Sequence, residues 1–427
     1  MSFTDFNFNK HISEALKSQG YVTPTPIQQQ AIQPTLDGRD MIGLAQTGTG
    51  KTAAFVLPIL EQLSAGRSSN SVRSLIIAPT RELAEQTYAY IGKFSRRLKI
   101  RACVVYGGVS REAQINKLKR GVDIVIACPG RLLDLANDGA LKLSGIEILV
   151  LDEADQMLDQ GFLPDIKRII KKLPVKRQNL VFSATMPHEV RSLINGLLVN
   201  PVEVTVDHTE PHTNISHTFY RTEKNKKNSL LTSILKEGYV GSAIVFTRTK
   251  YKAKSLAQRL EKQGFKAASI QGNLSQQQRQ RALNDFKSGS CKILVATDIA
   301  ARGIDVAGIS HIINYDIPGT TEAYTHRTGR TGRACQSGEA LTFITSEDQK
   351  MIKSLERVLR GKFTYGNLPS IDSGDVVSEH RVPQQNRPAS SARPASPAGI
   401  KSKKTPRKVR GKRSSQRNRM AAFDFGV

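Results

Sequence analysis

At 427 residues the chain is too long for one ordinary core and suits two domains plus an extension. Hydrophobic residues make up 39% and charged residues 23%, ordinary values for a globular protein, but the formal net charge of +26 is not ordinary. It implies a polyanionic partner, most simply nucleic acid, the alternative being a merely basic surface. Cys103, Cys128, Cys291 and Cys335 are scattered without metal-ligand or redox spacing, which disfavours zinc and disulfides and favours a reducing cytoplasmic setting. Met1 to Phe6 has neither the basic nor the apolar region of a signal peptide, and no apolar run approaches a membrane span, so no membrane association is expected.

In chain order, Ile12 to Gln19 reads as a helix closed by Gly20. Pro24 and Pro26 stiffen the approach to a second helix over Ile27 to Leu36, with Pro26 suited to its first turn. The Gln28 amide both donates and accepts, which suits the N6/N7 edge of adenine, and Tyr21 could stack on that ring. A helix-start Gln beside a core Tyr is the plainer reading of the same residues.

The strongest single stretch follows the apolar run Met41 to Leu44. It is Ala45-Gln46-Thr47-Gly48-Thr49-Gly50-Lys51-Thr52, which leads into Ala53 to Leu57. Strand, Gly-rich loop and helix in that order form a phosphate-binding loop, with Ala45 where the commonest pattern has its first Gly. Glycines let several backbone N–H groups converge on one anion, and the following helix adds its positive end. Lys51 would reach the β- and γ-phosphates, and Thr52 would sit on Mg²⁺.

From 53 to 206, short continuous apolar runs alternate with amphipathic segments. The runs are 75–78, 102–106, 124–127, 148–151 and 180–182, and the helices include 81–97, 110–119 and 164–172. Such runs argue for a parallel sheet covered by helices on both faces, with ligands at the carboxyl edge of the strands. The motifs fall at those edges. Asp152-Glu153-Ala154-Asp155 ends the run 148–151. Asp152 there is suited to hold Mg²⁺, and Glu153 to activate the attacking water. Ser183-Ala184-Thr185 ends the run 180–182, and its hydroxyls could tie the acidic cluster to whatever binds opposite. Pro79-Thr80-Arg81, Gly107-Gly108 and Pro129-Gly130-Arg131 end the other runs and offer helix starts, turns and arginines to nucleic-acid phosphates. Taken singly, each is also an ordinary turn.

Residues 207–216 are polar and aperiodic and read as a linker between a first domain over 1–206 and a second over 217–365. The second domain repeats the alternation, with runs at 244–246, 267–270, 293–296, 311–315 and 340–344, but has no phosphate loop. Its notable stretch is His326-Arg327-Thr328-Gly329-Arg330-Thr331-Gly332-Arg333. If this domain closes on a nucleotide held by the first, Arg330 and Arg333 become fingers on the γ-phosphate. A basic loop touching RNA is the alternative.

A helix over Glu347 to Leu359 ends the regular pattern. Between 378 and 427 thirteen Lys and Arg face two acids, Glu379 and Asp424, a net +11. Pro, Ser and Ala fill the gaps, so 366–427 reads as a disordered basic tail, a salt-sensitive and sequence-blind nucleic-acid tether. Phe423 to Val427 is a small apolar end that could dock a partner or simply be an end.

Together these motifs resemble the DEAD-box ATP-dependent RNA helicases, over about Phe3 to Leu359. The family's motifs stand in their usual order, from Phe3, Tyr21 and Gln28 through Ala45–Thr52 and Asp152–Asp155 to Thr297–Asp305 and His326–Arg333. The compact core and basic tail look most similar to the bacterial RhlE-type members. Cys128 departs from the family, which usually has Thr there.

The resemblance implies two RecA-like α/β domains, with ATP and Mg²⁺ as cofactors. For ATP it implies Phe3, Tyr21, Gln28, the loop Ala45 to Thr52, Gly303, Asp305, Arg330 and Arg333. Asp155, Ser183, Thr185 and His326 would couple the domains. Pro79, Thr80, Arg81, Gly108, Arg131, Gly272, Arg279 and Thr297 would bind RNA. Partners would be single-stranded and short duplex RNA with little sequence preference, with ribosomal precursor particles or RNA decay machinery as further candidates. The expected activity is RNA-stimulated ATP hydrolysis coupled to local unwinding. An ATP-gated RNA clamp or assembly platform is the alternative, and a DNA-directed motor is disfavoured by the Gln28 motif and the form of Asp152–Asp155.

Overall fold

The computed structural model describes residues 1–46, 48–66, 71–206, 215–236, 241–301, 306, 308–332 and 337–367. Thr47, Gly303, Asp305 and Arg333, and all of the expected tail beyond 367, lie outside the described residues.

The first seven strands are β1 (Met41–Leu44), β2 (Ser74–Ile77), β3 (Ala102–Val105), β4 (Ile124–Ala127), β5 (Ile148–Asp152), β6 (Gln178–Ser183) and β7 (Val202–Thr205). They form one wholly parallel sheet in the order β3-β4-β2-β5-β6-β1-β7. Its helices are α1 (Lys10–Ser18), α2 (Pro26–Leu36), α3 (Lys51–Ala65), α4 (Arg81–Ser95), α5 (Arg111–Lys119), α6 (Pro129–Asn137), α7 (Ala154–Asp159), α8 (Leu163–Ile170) and α9 (His188–Asn195).

The second group is β8 (Ile215–Arg221), β9 (Ser242–Phe246), β10 (Ala267–Ile270), β11 (Ile293–Ala296), β12 (Ile309–Asn314), β13 (Gly338–Ile344) and β14 (Thr364–Tyr365). These run parallel in the order β10-β11-β9-β12-β13-β8-β14, the first sheet's order repeated. Six helices belong to it: α10 (Lys227–Lys236), α11 (Lys250–Lys262), α12 (Gln276–Lys287), α13 (Asp298–Ala301), α14 (Thr321–Thr328) and α15 (Gln349–Leu359).

The continuous apolar runs explain the layering. Side chains alternate across a strand, so Ile124, Ile126, Ile148 and Val150 join one core while Val125, Leu149 and Leu151 join the other. Every one of these residues is buried, as a sheet covered on both faces requires. The strands β7, β8 and β14, at or next to a sheet edge, escape the pattern of apolar runs, because their residues are partly exposed and polar positions interrupt them. Accordingly β8 begins at Ile215, so Ile215 and Ser216 of the expected linker are strand. Gly366, expected as the start of the tail, donates its N–H to the Phe219 carbonyl at 3.0 Å.

Candidate active site and nucleic-acid interface

Strand order sorts the motifs of the first domain into two halves of one carboxyl edge. β5, β6 and β1 are neighbours, so the acidic cluster, Ser183–Thr185 and the phosphate loop end side by side. Leu44 is in register with Ser183, and the Ala45 N–H donates to the Ser183 carbonyl at 3.0 Å. β3, β4 and β2 are the other neighbours, and they carry Gly107-Gly108, Pro129–Arg131 and Pro79–Arg81.

In the nucleotide half the loop is held by its own side chains. Lys51, buried at the start of α3, donates from Nζ to the Ala45 carbonyl at 2.7 Å. Thr49 Oγ1 donates to the Gln46 carbonyl at 2.8 Å. Gly48 and Gly50 have φ of 91° and 96°, a conformation that favours glycine. A Cβ on Gly50 would also fall 2.3 Å from Gln28 Nε2. Thr52 is half-buried on the first turn of α3.

Gln28 and its neighbours brace this loop. Its amide is buried, donates from Nε2 to the Gly50 carbonyl at 3.1 Å and accepts the Thr25 N–H at 2.9 Å. Thr25 Oγ1 donates to the Thr49 carbonyl at 2.7 Å. Gln28 is thus a strut from the start of α2 to the loop. Phe3 is buried in the core, edge-on to Tyr21 at 5.7 Å, and Tyr21 is likewise edge-on to Phe94 at 5.6 Å. The plainer reading of Gln28 and Tyr21 describes these contacts.

The acidic cluster carries the strongest chemical signature. Asp152 is 2% exposed, and burial, then the neighbouring Glu153, push its carboxyl up to about 7, with Lys51 opposing. Glu153 is buried too, its Oε2 has no hydrogen-bond partner, and its backbone is left-handed at φ 56°, ψ 56°. For a non-glycine residue that conformation costs on the order of 1–3 kcal/mol and points to a functional constraint. Two adjacent buried carboxyls opposed by one lysine are a site short of positive charge, which fits a cation brought in with a nucleotide. Among the described residues no group of three His, Cys, Asp or Glu could hold a metal by itself. That suits an ion taken mostly by phosphates and water.

Asp155 joins the two domains. Its Oδ2 accepts the N–H and the hydroxyl of Thr185, each at 2.9 Å, and its own N–H donates to Ser183 Oγ at 3.1 Å. His326 Nε2, near the end of α14 in the second domain, lies 4.0 Å from the same Oδ2. The expected coupling residues are therefore in one place. Arg330 is buried and lines a small cleft with Asp298, Phe246 and His326.

In the other half, Thr80 caps α4 by accepting the Leu83 N–H at 3.2 Å. Arg81 lies over the turn at Gly108, where a Cβ would meet its guanidinium at 2.4 Å. Arg131 Nε pairs with Asp134 at 3.4 Å. Cys128 holds the N-cap of α6 without a side-chain bond, and burial, then Glu82, push its thiol up to about 12. Arg279 Nη2 pairs across the domains with Glu82 at 3.0 Å, and its buried Nε has no hydrogen-bond partner. Gln276 reaches the same carboxylate at 3.4 Å. Gly272 follows β10 in open surroundings, and Thr297 lies between β11 and α13.

Sequence reasoning missed two residues. Glu82 reads from sequence as an ordinary first-turn acid, favoured there by the helix dipole. Arg327 stands among finger-like arginines yet is structural. It donates from Nη2 to Asp298 at 2.7 Å and from Nη1 to Asn314 Oδ1 at 3.0 Å and the Asp316 carbonyl at 2.7 Å. Its guanidinium also stacks 4.9 Å above the Phe246 ring. Replacing Arg327 with methionine should cost about 3–5 kcal/mol, since it strands buried partners; a thermal unfolding midpoint unchanged from the unaltered protein would contradict this.

Asp316 gives the same region an acid limit. Burial would raise its pKa, but the Arg248 N–H and the Lys252 ammonium hold it below the usual carboxylate range. Its stabilising contribution is present above the unfolded pKa and is lost as pH falls through the lower folded value. Acid unfolding of Asp316→Asn should therefore be less steep below about pH 4; superimposable acid transitions would count against it.

Comparison with known proteins agrees with this arrangement. The family model for DEAD/DEAH box helicases matches residues 25–193, and that for the helicase conserved C-terminal domain matches 226–335. The chain is 40% identical to the DEAD-box ATP-dependent RNA helicase CshA of Bacillus licheniformis, over 87% of this chain and 76% of that one. It is also 40% identical to the RNA helicase CrhR of Synechocystis, over 91% and 79%. Among solved structures it resembles Saccharomyces cerevisiae Dbp5 bound to RNA and ADP–BeF3, with a TM-score of 0.77 and 29% identity, over 86% of this chain and 95% of that one. A DEAD box protein from Methanococcus jannaschii matches with a TM-score of 0.52 and 34% identity, over 86% and 99%. Two RecA-like domains with the phosphate loop, the acidic strand end and the interdomain histidine in register identify the chain as a member of the DEAD-box ATP-dependent RNA helicases.

Proposed function

We propose that the chain hydrolyses ATP on the loop Ala45–Thr52 when RNA draws the two domains together, and that closure separates short RNA duplexes or remodels RNA–protein complexes. The observation that carries this is Glu153, a strained, buried carboxylate with an unpartnered oxygen at a strand end beside the loop. Lys51 would exchange the Ala45 carbonyl for phosphate oxygens. Thr52 and Asp152 would hold Mg²⁺, which when bound neutralises phosphate charge. Glu153 would accept a proton from the attacking water. Arg330 and Arg333 would face the γ-phosphate, and Asp155, Thr185 and His326 would transmit closure. Arg81, Gly108 and Arg131 form the first domain's share of the RNA groove.

The basic tail supports placement with the RhlE-type group and a role as RNA tether, and the free thiols Cys103, Cys128 and Cys291 suit a reducing cytoplasm. Ribosomal precursor particles or RNA decay complexes are the targets this chemistry would suit.

The direct test is strand separation of a short RNA duplex with and without ATP. Release of the shorter strand only with ATP supports helicase action, whereas ATP-dependent retention of RNA without release favours the clamp. For the tail, truncation at residue 377 should weaken RNA binding and flatten the dependence of affinity on salt; equal slopes with and without it would rule out the tether.

A further inference from the structure

The second domain has a cavity of about 120 Å³ between α10 and α11, over Tyr315 at the carboxyl end of β12. Asn228, Lys252, Ser255, Leu256, Arg259 and Tyr315 line it. It is outside the cleft described above. Leu230 of α10 and Leu256 of α11 pack with Val245 and Val295 on one sheet face, whereas Leu283 and Phe286 of α12 pack with Ile244 and Leu294 on the other. The first domain is met by α12, through Gln276 and Arg279, and by α14, through His326.

The cavity presents spare donors. Asn228 Oδ1 already accepts the Tyr315 hydroxyl at 3.1 Å, leaving the amide hydrogens to offer. Arg259 is exposed and makes no ion pair among the described residues. Lys252 is 3.1 Å from Asp316 and 4.6 Å from the Tyr315 ring centroid, with hydrogens to spare. Asp316, the acid beside the cavity, is engaged by Lys252, by Lys227 at 3.7 Å and by the Arg248 N–H at 3.0 Å. Donors with hydrogens to spare suit an oxyanion, and the volume exceeds the roughly 30 Å³ share of one water several-fold.

The helix carrying these groups indicates which oxyanion. Tyr251, Ser255 and Arg259 recur every fourth residue along α11, on one stripe of its surface. Tyr251 is 71% exposed, with Lys250 Nζ 5.3 Å from its ring, and Lys254 is exposed beside it. A solvent-facing ring beside cations is the device that grips single-stranded nucleic acid, the base on the ring and the phosphate on the cation. An acidic peptide would need the cations but not the ring. The stripe also starts at the carboxyl edge of the second sheet, since Thr249, the N-cap of α11, follows β9.

We propose that this cavity binds a backbone phosphate of the RNA strand after it leaves the RNA groove, with a neighbouring base stacked on Tyr251, giving the second domain an outer RNA contact. The proposal rests on the RNA-binding reading above. Its test uses the full chain with Arg259→Gln and Tyr251→Ala, neither of which belongs to the catalytic or cleft machinery. Binding is measured to a single strand short enough to fill only the RNA groove and to a longer one of the same base, across a salt series. The expected result for the longer strand is several-fold weaker binding by Arg259→Gln, with its log–log salt slope shallower by about 0.7. Tyr251→Ala should bind it about tenfold more weakly. Binding of the short strand, and its stimulation of ATP hydrolysis, should match the unaltered protein. Unchanged affinity and slope on the longer strand would overturn the proposal. So would loss of polyglutamate binding in Arg259→Gln with RNA binding intact, which would assign the cavity to an acidic protein partner. Failure of the short strand to stimulate the unaltered protein would count against the proposed function, and the comparison of long with short strands would still decide the outer contact.

Discussion

Replacing Glu153 with glutamine should lower RNA-stimulated ATP turnover by about 10²- to 10⁴-fold, the range expected for loss of a general base. The substitution keeps the shape and removes only the ability to take a proton. Nucleotide and RNA binding should persist, because Lys51, the loop glycines and the arginines of the groove are untouched. The change also removes a charge from beside Asp152, whose raised pKa owes its second-largest cause to Glu153. The Asp152 carboxyl should then ionise more easily, so nucleotide affinity should hold or rise. Retention of turnover within a few-fold of the unaltered protein would exclude Glu153 as the base.

Substituting Arg330 with glutamine should have the second large effect. Arg330 follows His326 by four residues, and His326 lies 4.0 Å from Asp155, so this segment is presented to the nucleotide half of the first domain. An arginine finger elsewhere contributes about 10³- to 10⁵-fold in rate, and a loss in that range is expected in the RNA-stimulated rate. Arg330 is buried, so the variant's unfolding must be measured beside its rate. Arg330→Lys serves as the control: it keeps the charge but not the planar fork, and should recover only a small part of the rate. A stimulated rate within tenfold of the unaltered protein in a folded Arg330→Gln variant would contradict the finger role.

Much of this was legible in sequence because buried parallel strands leave an unmistakable trace. The runs 124–127 and 293–296 coincide with β4 and β11, since strands covered on both faces need apolar residues at every position. The phosphate loop and acidic cluster were legible because their chemistry restricts residue type at fixed spacing. Strand β8 was not: Ile215–Arg221 alternates buried and open positions with polar residues among them and reads as loop. Pairing choices were not legible either. A glutamine offers the same amide to adenine or to the Gly50 carbonyl, and only the fold shows that Gln28 braces the loop. Likewise nothing local distinguishes Arg327, which holds the second domain together, from Arg330, which faces the cleft. The Glu82–Arg279 pair joins residues 197 positions apart on two domains, beyond the reach of any local pattern.

That pair and the Asp155–His326 approach place closure of the two domains at the centre of the account. Steady-state ATP hydrolysis without nucleic acid, with single-stranded RNA and with DNA of matching sequence tests it most directly. Strong stimulation by RNA and little by DNA is the predicted result, because RNA-driven closure would bring Arg330 and Arg333 to the nucleotide. Hydrolysis that is equally fast in all three conditions would contradict it.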